Sequence, residues 1–237
     1  MERCLRRFTK YVNNNNKKEE KNMQTFITDP DFTRSAVNLD MKRLGKQRVE
    51  ALQILITIQK MCLDNPSIKV NGEDGHTISR TLGWSHHPAV RMWFGYTDFL
   101  AIYYNSIVKE WVRRGYRHEI KMSEYIKSGD IKEFKIRNEA QNFIRKTGGV
   151  HPDPKGDRIV EFIEPLKPFV DVPWWWTENK WKIIDSHREA LIIKDRKWYT
   201  ADDGPCGYWV HQRRNPMPTE YWWPYDKTRG REHLTII

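Results

Sequence analysis

A mainly α-helical fold is predicted by three stretches of the 237-residue sequence in which apolar residues recur at helical spacing. They run from about Asp40 to Leu63, from about Pro88 to Arg114, and, in a unit opened by Pro173, to about Asp195. The expected architecture is a single helical domain over residues 23–237, with an extended N-terminal arm, an insertion at 116–172 and an irregular, aromatic-rich C-terminal segment.

In chain order, residues 1–22 end in Asn13 to Asn16 and then Lys17, Lys18, Glu19, Glu20 and Lys21, a polar run with too little to bury. It is expected to be a disordered tail or to precede the true start, because Met23 follows directly. Met23 to Ile27 read as the extended arm, after which Asp29 and Pro30 supply an N-cap and a first-turn proline for a short helix to Leu39. In the next helix, Arg43, Lys46, Gln47 and Glu50 fall on one arc of the wheel. Leu44, Val49, Leu52, Leu55 and Ile56 fall on the opposite, buried one. Arg48 projects into the apolar arc, where it either snorkels or needs an anion from the protein or a ligand.

A loop is expected from Pro66 to Gly83. The stretch from Pro88 to Arg114 reads as one helix, its buried side marked by Val90, Trp93, Phe94, Leu100, Ala101, Tyr104, Ile107, Val108 and Trp111, with Gly115 as its C-cap. His86 and His87 stand at its N-terminus, either as ordinary loop residues or where backbone N–H groups favour a phosphate. Within 116–172, modest helices are expected near Met122 to Lys127 and Ile131 to Arg145. Along the last helix Trp181, Ile184, His187, Arg188, Leu191 and Ile192 share a face, so His187 is either a buried structural histidine or a site residue. Beyond it, Lys197, Trp198, Tyr199, Tyr208, Trp209 and Tyr221 to Tyr225 interleave with Arg213, Arg214, Arg229 and Arg231. That mixture suits stacking on unpaired bases while phosphates are neutralised, although the rings could equally pack on the helices.

Lysines and arginines exceed acidic residues by ten and the isoelectric point is about 9.4, which favours an anionic partner. With 11 Trp and 10 Tyr, nucleic acid is the expected one, and a basic enzyme unrelated to nucleic acid is the alternative. Cys4, Cys62 and Cys206 are too few and too scattered for a disulfide framework or a zinc site, so a reducing, cytoplasmic setting is expected. No apolar run has the length of a membrane span, and Arg3, Arg6 and Arg7 precede no apolar core of a signal peptide.

Three segments together resemble a known family: LDMKRLGKQRVEALQIL (Leu39 to Leu55), HPAVRMWFGYTDFLAIYYNSIVKEWVRRGY (His87 to Tyr116) and IDSHREALIIKDRKWYT (Ile184 to Thr200). Covering about a quarter of the chain, they resemble the pyrimidine-dimer DNA glycosylases of the phage endonuclease V type, and more closely their uncharacterised bacterial and viral relatives. The resemblance implies a compact helical domain with the arm running between helices. It also implies a glycosylase coupled to AP-lyase chemistry, in which the α-amine of the second residue attacks the sugar C1′ to form an imine and a glutamate on the first long helix assists. An α-amine with a pKa near 8 is unprotonated in roughly a tenth of molecules at neutral pH, so this nucleophile needs no metal and no organic cofactor.

Carried over from Met23, the nucleophile position is Gln24, or Met23 itself if the initiator is kept. An ungapped count puts the family's glutamate at Gly45, which cannot act as an acid or base, so Glu50, the nearest glutamate five residues on, is the expected acid–base residue. The phosphate-contacting arginine matches Arg48, and the aromatic and basic run matches Lys197, Trp198 and Tyr199. Arg43, Lys46, Gln47, His86, His87, Arg91 and His187 complete the expected DNA contacts. The implied partner is damaged or modified double-stranded DNA, bound by a monomer with the target base out of the stack. Two other readings stand beside it. One is a non-catalytic nucleic-acid-binding module of the same fold; the other is an enzyme on free nucleotides with Glu50, Arg48 and His86 lining a small pocket.

Overall fold

The structure, a computed structural model, describes residues 24–64, 84–85, 87–120, 130–136, 158–164, 170 and 172–211. The described residues are mostly helical. The arm leads into α1 (Phe32–Asn38), whose N-cap is Asp31, accepting from the Thr33 amide at 2.8 Å. Asp29 accepts from the Asp31 amide at 2.9 Å. The predicted cap at Asp29 therefore moves to Asp31, because two successive Asx turns form and leave Pro30 in the first. Leu39 turns extended, and Asp40 opens α2 (Met41–Asp64) by accepting from the amides of Lys42 and Arg43 at 2.9 and 3.1 Å.

The buried stripe of α2 differs from the expected one. Leu44, Leu52 and Leu55 are buried as predicted, with Ala51, Ile54, Ile58 and Met61. Val49 instead lies 36% exposed, while Gln47 and Glu50 from the polar arc face inward. A wheel ranks arcs by apolarity, and here the arm supplies a polar lining that makes the hydrophilic arc an interior one.

The predicted Pro88–Arg114 helix is two helices, α3 (Pro88–Trp93) and α4 (Thr97–Arg113). Between them Phe94 is extended, Gly95 takes φ 84° and the Tyr96 amide closes on the Trp93 carbonyl at 2.9 Å. The apolar spacing runs through this break because Trp93, Phe94 and Leu100 all reach the same core, so only the glycine marks it. At the far end Gly115 has φ 87° and the Gly115 and Tyr116 amides bond to the Val112 and Trp111 carbonyls, the expected C-cap. Buried Arg114 donates to the carbonyls of Leu39, Val37 and Ala36 at 2.7, 2.9 and 3.2 Å and to Glu110 at 2.6 Å. It thereby ties α4 to the C-terminus of α1.

Strands β1 (Asp130–Ile136) and β2 (Arg158–Glu164) pair antiparallel, Asp130 opposite Glu164 and Ile136 opposite Arg158. A helix was expected from Ile131; residues 131–136 are strand, in keeping with the β-branched and aromatic residues of DIKEFKI and RIVEFIE. Asn105 of α4 holds β2 through both backbone groups of Ile163, at 2.6 and 3.0 Å. The expected helix at Met122 to Lys127, the Pro66 to Gly83 loop and the basic aromatic run after residue 211 lie outside the described residues.

The chain ends its described part with α5 (Trp174–Lys194), α6 (Arg196–Tyr199) and α7 (Tyr208–His211). An aromatic cluster joins α1, α3, α4 and α5. Phe32 meets Phe99, Tyr103 and Trp176 edge-on, with centroids 4.9, 5.3 and 5.3 Å apart. Its buried indoles find acceptors, Trp175 on the Met92 carbonyl and Trp93 on the Thr25 hydroxyl, both at 3.0 Å. Trp181, predicted to face the core, is 37% exposed. No described helix is long and apolar enough to cross a membrane.

Candidate active site

The arm is buried from Thr25 to Thr28, so its backbone groups must find partners inside the protein. Side chains from four helices provide them. The Phe26 amide donates to Gln47 Oε1 and the Gln24 carbonyl accepts from Gln47 Nε2, both at 2.8 Å. The Ile27 amide donates to His187 Nδ1 at 2.8 Å, and the Tyr103 hydroxyl shares its single proton between Gln47 Oε1 at 2.7 Å and the Phe26 carbonyl at 3.0 Å. The Thr28 amide bonds Ser35 Oγ at 3.0 Å and the Thr28 carbonyl accepts from Arg188 Nε at 2.7 Å. His187 is wholly buried with its pKa pushed down to about 3 by burial, so it is the neutral acceptor that this geometry requires.

Pinned in this way, the arm brings its first described residue to Glu50. The Gln24 N–H donates to the Glu50 carboxylate, Gln47 Nε2 donates to Oε2 at 3.0 Å, and Lys46 Nζ stands 3.4 Å from Oε1. The carboxyl is 5% exposed, and burial pushes its pKa up to about 7 against the opposing pull of Lys46, the Gln24 N–H and Gln47. A carboxyl poised there can both accept and return a proton at neutral pH.

Gly45 does not face the arm. A Cβ on it would lie 2.9 and 3.1 Å from two atoms of the Trp111 ring, so the glycine admits this ring to α2. Position 45, where the ungapped count sets the family's glutamate, thus faces Trp111, and the carboxylate beside the arm is that of Glu50. Arg48, one turn on from Gly45, lies over the same ring at 5.1 Å and its Nη1 is 3.0 Å from His118 Nδ1. His118 is held neutral, its pKa about 4 through burial and then Arg48, and its Nε2 lies 3.5 Å from the Tyr104 hydroxyl. Arg48 Nε is buried with no hydrogen-bond partner among the described residues. Of the two readings of Arg48, an anion partner or a snorkelling side chain, the structure shows neither alone: a ring face and a neutral imidazole stand against the half-buried guanidinium. No periodicity singled out His118, Tyr103 or Ser35, which matter through contacts distant in sequence.

The remaining expected site residues are dispersed. Lys46 and Lys197 are exposed, while Arg43, Arg91 and Trp198 are half-buried. Arg43 is engaged by Asp40 at 3.3 Å and by Asp195 at 3.8 Å, and Trp198 donates to the Asn38 carbonyl at 3.0 Å. Gln47, His187 and Tyr199 offer no surface to DNA, which corrects their expected role as contacts. Tyr199 donates to Asp40 at 2.5 Å and stacks on Trp209 at 5.4 Å. His87 caps α3, accepting from the Ala89 amide at 3.2 Å, and burial lowers its pKa. Met23 and His86 lie outside the described residues. A cavity of about 760 Å³ opens beyond the far end of the arm, between Asp29, Arg34, Asn38, Trp181 and Tyr208, and does not include Glu50. Among the described residues no group of His, Cys, Asp and Glu is arranged to hold a metal ion.

The family model of pyrimidine dimer DNA glycosylases matches residues 23–124. Neither the curated proteins nor the solved structures contain a significant match to the chain. The matched span holds the arm, α1 to α4 and the contacts among Gln24, Gln47 and Glu50, so over residues 23–124 the chain is similar to the pyrimidine dimer DNA glycosylase family.

Proposed function

We propose that the protein is a DNA glycosylase with coupled AP-lyase activity on damaged or modified bases in double-stranded DNA. The observation that carries this reading is the backbone nitrogen of Gln24 hydrogen-bonded to Glu50, a carboxyl with a pKa of about 7. In a chain whose first residue is Gln24, that nitrogen is a free α-amine with a proton acceptor already beside it. Met23 is the other candidate for the amine, one residue further from Glu50 along the chain.

The amine lone pair attacks C1′ and the C1′–N bond to the base breaks, its electron pair leaving with the base, which takes up a proton. The amine then loses a proton, the C1′–O4′ bond opens with O4′ protonated, and an imine results. Removal of a C2′ proton with cleavage of the C3′–O bond expels the 3′ phosphate. Glu50 carries these protons, cycling between its two forms near neutral pH. Exposed Lys46 and Lys197 neutralise the flanking phosphates.

The test is borohydride trapping on abasic and UV-damaged duplexes with protein beginning at Gln24 and at Met23, the open terminal amine verified by mass spectrometry. A covalent protein–DNA adduct that disappears in E50Q, with duplex binding kept, is the expected result. Duplex binding without any adduct would establish the non-catalytic module; no duplex binding would leave the free-nucleotide enzyme.

A further inference from the structure

We infer that Gln47 is a positioning residue of this chemistry, a buried amide that fixes the arm's first nitrogen against the Glu50 carboxylate. The inference rests on the glycosylase reading above and goes beyond it in naming what sets the geometry. Gln47 is wholly buried, and its amide uses its full hydrogen-bonding capacity. Oε1 accepts from the Phe26 amide at 2.8 Å and, at 2.7 Å, from the Tyr103 hydroxyl, whose one proton is shared with the Phe26 carbonyl. Nε2 donates to the Gln24 carbonyl at 2.8 Å and to Glu50 Oε2 at 3.0 Å. Exchanging O for N would set donors against Phe26 N–H and acceptors against both the Gln24 carbonyl and Glu50, so the partners dictate the orientation.

Three elements meet in this one amide: the arm, α2 and α4. Gln47 grips the peptide groups on both sides of Thr25 and, from one turn before Glu50 on the same helix, the carboxylate as well. The Gln24 nitrogen and the carboxylate are thereby referred to a common rigid group. An amine free to swing on the end of the arm would lose this register, and a displacement of about 1 Å at a reacting atom costs roughly 100-fold in rate. A merely structural glutamine would need the arm contacts and not the one to Glu50. That contact also favours the ionised carboxylate, so its loss moves the titration of Glu50 upward. The other titratable groups nearby are Lys46 on α2, Tyr103 on α4 and His187 on α5; Gln47→Met leaves the Lys46–Glu50 and His187–Ile27 contacts in place and removes one of the two acceptors of the Tyr103 hydroxyl, which keeps the Phe26 carbonyl.

The decisive experiment is single-turnover trapping across pH with the Gln24-terminal protein and its Q47M variant, which keeps length and removes the amide. Expected are a rate about 10- to 100-fold lower at saturating duplex, an unchanged Kd for the duplex, and an upward shift of the limb that Glu50 sets. If Q47M does not fold, Q47E replaces it: two carboxyls then face each other and titrate as a coupled pair, splitting that limb in two. Wild-type rate and an unmoved limb in the folded variant would overturn the inference and leave the glycosylase reading intact. A wild-type protein that forms no adduct would overturn both.

Discussion

At the scale of single residues, the molecule places a carboxyl where burial makes its charge expensive and then surrounds it with just enough donors to keep it titrating near 7. E50Q is therefore expected to lower the trapping rate by about 100-fold or more, the usual weight of a general acid–base group. Its stability should change with pH in a definite sense. The folded pKa of about 7 stands above the ordinary 4.5, so the folded state binds the proton more tightly, and the stability this contributes is full below about pH 4.5 and lost as pH rises to 7. Chemical denaturation at a series of pH values should show E50Q gaining on wild type across that window, by up to about 3 kcal/mol. His187 acts in the opposite direction: its folded pKa of about 3 lies below 6.5, so its contribution is complete above 6.5 and lost as pH falls. Only the difference between variant and wild type isolates Glu50. Gly45 obeys sterics alone. G45A should destabilise by about 1–2 kcal/mol in urea denaturation, overpacking against Trp111 exceeding the gain in helix propensity. G45E added to E50Q should restore no trapping, because position 45 faces Trp111 and not the arm.

At the scale of elements, the arm is the part that the helices are arranged to hold. It gains order from Gln47, Tyr103, Ser35, His187 and Arg188, which reach it from α1, α2, α4 and α5. The break between α3 and α4 serves the same end, since it lets Trp93 donate to Thr25 while Tyr103, on the next helix, reaches Phe26. Gly95 holds that break at φ 84°, where a Cβ costs about 1–2 kcal/mol. G95A should lower the urea midpoint by that equivalent without changing the m-value.

At the scale of the whole molecule, a formal charge of +10 gives the protein a long-range attraction to polyanions. Duplex affinity measured by fluorescence anisotropy should fall linearly on a log–log plot against salt, and replacing Lys46 and Lys197 by Ala should reduce the slope by about one unit per lysine lost from a phosphate. A slope that neither substitution changes would remove both residues from the interface.

The sequence by itself determined the helical class, the extended arm, the Gly115 cap and the family resemblance, because apolar spacing, Asp and Gly punctuation and a few local motifs are written in consecutive residues. It also pointed to Arg48 as a charge in need of company. It misplaced the α1 cap, ran α3 and α4 together and read a strand as helix. These depend on what lies opposite a residue, which local pattern does not encode. Only the tertiary structure decided that Gln47 and Glu50 face inward and Val49 outward, since their burial is made favourable by an arm more than twenty residues earlier in the chain. The same folding gave Arg48 a tryptophan and a histidine for company and brought the Gln24 nitrogen to Glu50, a contact between segments that share no periodicity.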